Sequence, residues 1–328
     1  MKIDVARQPL GLILLTSMAA VFLTVIRSAG ISSGPELTAG PDLSPSASLL
    51  EGIFRNGWLR YTVVTLILMV NAFMLTRIMV IYKANFGRSF LCAAIYIMAA
   101  VGIMAPYGSV TASLASLLLV ISTDQAVSAF RRNYRFEAVF KSSFALGFIP
   151  LLYSPAIALW LIIPVILALY QRTVREIVAA AAGLLLPLFV CSAGWWAAGY
   201  SWTYLVESFT AGLSPALNPG FRFGTDGSYM PLLLAGLYVV ITIASVIILI
   251  INYNKYPNRV RKVYVHMTAL LLCCVPMYFI FPANPAILIS LSAIPGSVIA
   301  THFFIKINRW IGMGVYLILI FLFIASNI

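Results

Sequence analysis

Between Met230 and Asn252 the chain reads PLLLAGLYVVITIASVIILII, with no charge and no amide side chain in it. A bilayer core is roughly 30 Å thick, and about 20 apolar residues wound as an α-helix cross it. Lipid offers no water to a free N–H or C=O. A spanning segment must therefore close its own hydrogen bonds as a helix or join a closed barrel. Barrel strands are runs of about 10 residues with alternating polarity, whereas this run is continuous. Comparable runs recur at 9–26, 58–79, 89–105, 109–129, 177–197, 264–281, 286–304 and 310–327. Only 9% of the 328 residues are charged and 62% are hydrophobic, against about 25% charged in a soluble domain. The fold class that follows is all-α: a polytopic transmembrane helical protein forming a single integral membrane domain over residues 1–328.

The stretch from Ser142 to Gln171 is also free of charge, yet it is too long for one upright span and short for two. Basic residues decide between the options, because cytoplasmic loops collect Lys and Arg. If 142–170 enters and returns as a hairpin, with the N-terminus cytoplasmic, only Arg27, Arg55, Arg60 and Arg222 of the 21 Lys and Arg residues fall outside. If it crosses once, Arg172, Arg175, Lys255, Arg259, Arg261, Lys262, Lys306 and Arg309 move outside and the bias vanishes. The expectation is a short internal hairpin turning near Tyr153-Ser154-Pro155, bracketed by Pro150 and Pro155, since proline disfavours helix at the residue before it. That makes about eleven membrane helices in all. The run at 9–26 follows Lys2 and Arg7 and lacks a clean small-x-small site before Arg27, so it reads as a retained span rather than a signal peptide.

The net charge of +12 would suggest nucleic acid in a soluble chain. Here it reflects loops held against anionic lipid, and no nucleic-acid partner is expected. Cys92, Cys191, Cys273 and Cys274 all sit in apolar runs without metal spacing and read as small packing residues. No cofactor or metal site is predicted.

Two longer loops lie outside, at 28–57 and 198–229, and carry Glu36, Asp42, Glu51, Glu207 and Asp226. In SLLEGIFRNGWLRY, residues Leu49, Leu50, Ile53, Phe54 and Trp58 share one helical face, and Glu51 and Arg55 are an i,i+4 pair. This predicts a helix lying in the interface. The second loop opens on WWAAGYSWTYLVESF, an aromatic belt at headgroup depth.

With acids and arginines on two outer loops, an interfacial helix and an internal hairpin, the chain resembles the polytopic lipid-linked glycosyltransferases. That resemblance implies transfer of a sugar or related group from a polyprenyl-phosphate donor at the outer leaflet. Asp42 or Glu36 would be the catalytic base. Arg55, Arg60, Arg222 and Asp226 would bind substrate, the arginines holding the phosphate leaving group. A divalent cation accompanying the lipid phosphate is compatible with it. The segment FKSSFALGFIPLLYSPAIALWLIIPVILALYQRTVREIVAAAAGLLLPLF, with a weaker match near NAFMLTRIMVIYKANFGRSFL, also resembles an uncharacterised family of inner-membrane proteins of Bacteroidota. This second resemblance implies an envelope role at the bacterial inner membrane without a defined activity. The alternative function is a non-catalytic membrane subunit of an envelope assembly or secretion complex, with a membrane protein as partner.

Ionisable groups deep in a span are functional by default, and the spans hold almost none. Asp124 lies toward an inner end, facing Arg131 or a cavity wall. His302 and His266 read as interfacial. Without a mid-span relay, a proton-coupled transporter ranks last. The inner segments RRNYRFEAVFK and NKYPNRVRKVYVH are basic with interleaved aromatics, which suits topology determinants or anionic headgroups.

Overall fold

The structure is a computed structural model that describes residues 45–54, 57–82, 90–104, 110–129, 136–170, 174–213, 229–280 and 285–327. Every regular element among them is helical. In chain order these are α1 (Pro45–Ile53), α2 (Gly57–Ile81), α3 (Leu91–Met104), α4 (Val110–Ser128), α5 (Phe136–Leu152), a 3-10 segment (Ser154–Leu161) running into α6 (Ile162–Tyr170), and α7 (Val174–Ala197). Next come α8 (Tyr204–Leu213), α9 (Met230–Ile251), a 3-10 turn (Tyr253–Lys255), α10 (Asn258–Ile280), α11 (Pro285–Lys306) and α12 (Arg309–Asn327). Among the described residues seven helices are long and apolar enough to cross a membrane, and Leu91–Gly102 and Ser154–Ala168 are shorter apolar helices. The chain is a multi-pass membrane protein. The expected span at 9–26 lies outside the described residues.

The region 136–170 enters and returns. The Ser142 hydroxyl on α5 bonds to the Ser122 carbonyl of α4 at 2.9 Å. Val139, Ser142 and Ser143 of α5 and Ala126 and Ala129 of α4 enclose a small void together with Ile163, Ile166 and Leu167 of α6. The chain has thus come back to the depth at which α5 started. Glycine contacts give the same answer from the other side. A β-carbon at Gly183 would meet Phe140, Ser143 and Phe144, while one at Gly147 would meet Leu184 and Pro187. Positions rise together along α5 and α7, so the two helices are parallel. One crossing between them would have made them antiparallel.

The hairpin limbs are longer than the uncharged stretch suggested. α5 starts at Phe136, takes in the exposed Glu137–Lys141 pair at 2.6 Å, and reaches Leu152. At 1.5 Å per residue its 17 residues cover about 25 Å. The returning limb contains eight 3-10 residues, each rising about 2.0 Å, before nine α-helical ones, and so covers about 30 Å. Pro150 does not bracket the turn as expected but lies inside α5, and Pro155 opens the 3-10 segment.

α11 is the central post. It packs against α3, α4, α9 and α10, and it is buried along almost its whole length. The contacts that hold it are helix-to-helix bonds from hydroxyls. Ser290 donates to the Ala112 carbonyl of α4 at 3.1 Å, Ser245 of α9 to the Ile299 carbonyl, and Tyr238 of α9 to the Ala293 carbonyl at 3.2 Å. Gly296 leaves room for the Tyr238 ring, since a β-carbon there would collide with the phenol oxygen. On α12, Ser326 donates to the Gly102 carbonyl of α3. By contrast α7, α9 and α12 expose large apolar side chains such as Phe189, Val240 and Phe321, the surface expected against lipid.

Candidate functional site

One end of the bundle, the end where the hairpin turns, carries two short helices. α1 rests on α4 and α5, and α8 rests on α7 and on the 3-10 segment after Tyr153. α1 thus touches the helix that leads into the hairpin turn, and α8 the segment that leads out of it. In α1 Leu49, Leu50 and Ile53 recur at helical spacing; Ala47 is the fully buried contact with the bundle, while Leu49 and Ile53 are exposed. It ends sooner than expected: Trp58 belongs to the spanning helix α2 and is exposed.

α8 is held by rings. Trp195 lies 5.0 Å from Tyr200 and 5.4 Å from Tyr204, centroid to centroid, and Tyr200 lies 4.7 Å from Tyr204. Trp202 meets Trp196 and Phe189 edge-on, each at 6.1 Å. The left-handed backbone of Gly199, with φ of 93°, lets α7 turn into this cluster. At the hairpin turn itself Tyr153 and Ser154 are fully buried, and the Ser154 hydroxyl has no hydrogen-bond partner.

Of the residues expected to carry chemistry, Glu36, Asp42, Arg55, Arg222 and Asp226 lie outside the described residues. Arg60 is on the first turn of α2 and half-buried. The Glu51–Arg55 pairing also lies outside them.

Inside the bundle the polar groups are mostly matched to one another. The Asn71 amide of α2 donates to Ser116 of α4 at 2.8 Å and to the Tyr96 hydroxyl of α3 at 3.2 Å, all three side chains being fully buried. The Asn71 carbonyl oxygen is left without a partner. Arg77 of α2 is a cation within electrostatic reach of Asp124, and the expected partner Arg131 lies outside the described residues.

His302 and His266 are both buried within the bundle. His302 Nε2 is 3.0 Å from the Tyr256 hydroxyl, and its ring also meets Tyr264, with centroids 5.2 Å apart. Neither ring nitrogen of His266 has a partner. Among the described residues no group of three or more His, Cys, Asp and Glu is placed to hold a metal ion.

Glu176 escaped the sequence reading. It lies in the first turn of α7 and is only 1% exposed. A carboxylate there suits the positive end of the helix dipole. The signal was available, since Glu176 follows Arg175 at the start of a span, but charges at that position are usually solvated.

The chain matches no protein-family model, no curated protein and no solved structure.

Proposed function

We propose that the protein is a bacterial inner-membrane enzyme of the outer leaflet, transferring a sugar or related group from a polyprenyl-phosphate donor. The observation that supports this reading is that α1 and α8 rest on the two limbs of one hairpin, α1 on α5 and α8 on the 3-10 segment after Tyr153. Asp42 immediately precedes α1, and the covalent chain tethers it within about 11 Å of Pro45. Arg222 and Asp226 lie in the connection from α8 to α9, and Arg60 begins α2. These segments, far apart in sequence, share one rim in this reading. In this reading the carboxylate of Asp42 or Glu36 takes the acceptor hydroxyl proton as the oxygen attacks the sugar carbon. The carbon–oxygen bond to phosphate breaks, and the polyprenyl phosphate leaves with the electron pair, its charge met by Arg55, Arg60 or Arg222.

The test is replacement in cells of Asp42→Asn and, separately, Arg222→Ala, with protein levels matched. Loss of an envelope glycan, with accumulation of its lipid-linked precursor, is expected for each. Unchanged glycans and precursors in both would reject the enzyme.

A second reading is a non-catalytic subunit of an envelope assembly. The close packing of the described interior favours it, because the interhelical polar groups there serve one another. Mild-detergent copurification separates the two: a stoichiometric membrane protein supports the subunit, and a bound polyprenyl phosphate supports the enzyme.

A further inference from the structure

The opposite end of the bundle carries a feature that the outer-face reading does not use. Two connections meet there, the turn from α9 to α10 and the turn from α11 to α12. The Tyr256–His302 bond ties them, and the Lys306 ammonium lies 5.4 Å from the centre of the Tyr256 ring. On the same rim the Arg261 guanidinium lies 5.2 Å from the centre of the Tyr253 ring and donates to Asn258. Lys255, Arg259, Arg261, Lys262, Lys306 and Arg309 are thereby collected from two separate connections. The sequence has no acid from Asn252 to His266 or from Thr301 to Met313.

Topology alone does not ask for this. The positive-inside bias requires basic loops, not loops tied to each other so that like charges share one patch. Cations gathered in one patch attract an anion more strongly than the same cations held apart.

The surroundings specify the kind of anion. α9 and α12 pack side by side, and they run in opposite directions, because α9 is parallel to α11 while Phe304 and Tyr316 pair across the turn from α11 to α12 at 6.0 Å. The end of α9 and the start of α12 are therefore at one depth, and there Ile250, Ile251, Trp310 and Ile311 are all exposed. Two of the cations, Arg261 and Lys306, stand over tyrosine rings at the end of the bundle where this apolar surface lies. A soluble anion would use the first feature only. A lipid uses both.

We propose that this patch is a binding site for the phosphate headgroup of an anionic lipid in the inner leaflet, with its acyl chains along Ile250, Ile251 and Ile311. The site is distinct from the outer rim and does not depend on the enzyme reading.

The experiment uses the full chain in nanodiscs that contain phosphatidylethanolamine with a minor fraction of phosphatidylglycerol, and reads the retained phosphatidylglycerol by native mass spectrometry. The wild type is expected to retain phosphatidylglycerol selectively. K306Q/R309Q should lower that selectivity on the order of tenfold, at roughly fivefold per cation or less, while Lys306→Arg should keep it. The double variant R77Q/R175Q removes the same charge elsewhere at the inner end and should change little. An equal fall in that control would mean diffuse attraction, and it would overturn the site. Complete displacement by millimolar inorganic phosphate would likewise overturn it, because the site would then read phosphate without lipid. Thermal unfolding of each variant shows that the comparison is made between folded proteins.

Discussion

The Phe140 carbonyl of α5 stands so close to Gly183 of α7 that a β-carbon at 183 would lie 2.8 Å from its oxygen. The same pair of helices meets again where a β-carbon at Gly147 would lie 2.6 Å from the Leu184 carbonyl oxygen. Both obstacles are backbone, which cannot swing aside as a side chain can. Gly183→Ala must push the helices apart, and overpacking of this kind costs about 1–3 kcal/mol. Its thermal unfolding midpoint in detergent should fall clearly below that of the wild type. Gly194→Ala, on the same helix with nothing within 4 Å, should leave the midpoint unchanged or slightly raised. Equal midpoints for the two variants would mean that the α5–α7 approach is not specific.

The parallel course of α5 and α7 makes a direct prediction about sidedness. In a background with Cys92, Cys191, Cys273 and Cys274 replaced by serine, single cysteines at Lys141→Cys and Arg175→Cys should react with an impermeant thiol reagent from the same face. Both positions are exposed, so reactivity is not limited by burial. Labelling from opposite faces would show a single crossing and would separate the acid-bearing outer loops.

The Asn71–Tyr96–Ser116 cluster should stabilise the bundle only modestly. Hydrogen bonds between membrane helices average about 0.6 kcal/mol, because the separated helices also find partners. Asn71→Leu removes two such bonds and also removes the unpartnered carbonyl oxygen, whose burial is itself unfavourable. The expected loss is about 1 kcal/mol or less. A loss above about 3 kcal/mol, measured by unfolding in mixed micelles, would mean that the cluster does more than join three helices.

The ring cluster that seats α8 should act locally. An aromatic pair contributes about 0.5–1.5 kcal/mol beyond its buried area, and Trp195 makes two such pairs. Trp195→Ala should speed hydrogen exchange of the Tyr204–Leu213 amides by about tenfold or more, with the middle of α7 unaffected. Uniform exchange across both helices would show that α8 is held by something else.

Much of this architecture could be read from sequence because the cost of leaving water is local. A charge-free run such as 231–251 declares a span wherever it packs, and the bias of Lys and Arg was enough to find the hairpin. What sequence did not show was which helix stands in the middle. In lipid the outside of a bundle is as apolar as its inside, so burial is not written as a polar and an apolar face. α11 differs only in its hydroxyls and small residues, Ser290, Gly296, Ser297 and Thr301, which reach carbonyls or make room for neighbours. Partners were hidden for a related reason. Asp124 has Arg77 brought near it by α2, from 47 positions away in the sequence, where spacing along one helix offers no signal. Trp58 shared the α1 pattern by spacing alone, but the chain breaks helix before it. The candidate catalytic residues were legible only as outer acids and arginines in two loops, and the described elements supply the rim from which those loops hang.

The central position of α11 bears on how the molecule is made. Its main partners, α3, α4, α9 and α10, all leave the ribosome before it does. Among them only α3 and α9 share a substantial contact of their own, so the bonds that Ser290 makes to Ala112, and that Tyr238 and Ser245 make to α11, form only once it inserts. The bundle therefore closes from its interior outward near the end of synthesis, and an interruption before residue 285 leaves a shell without its keystone.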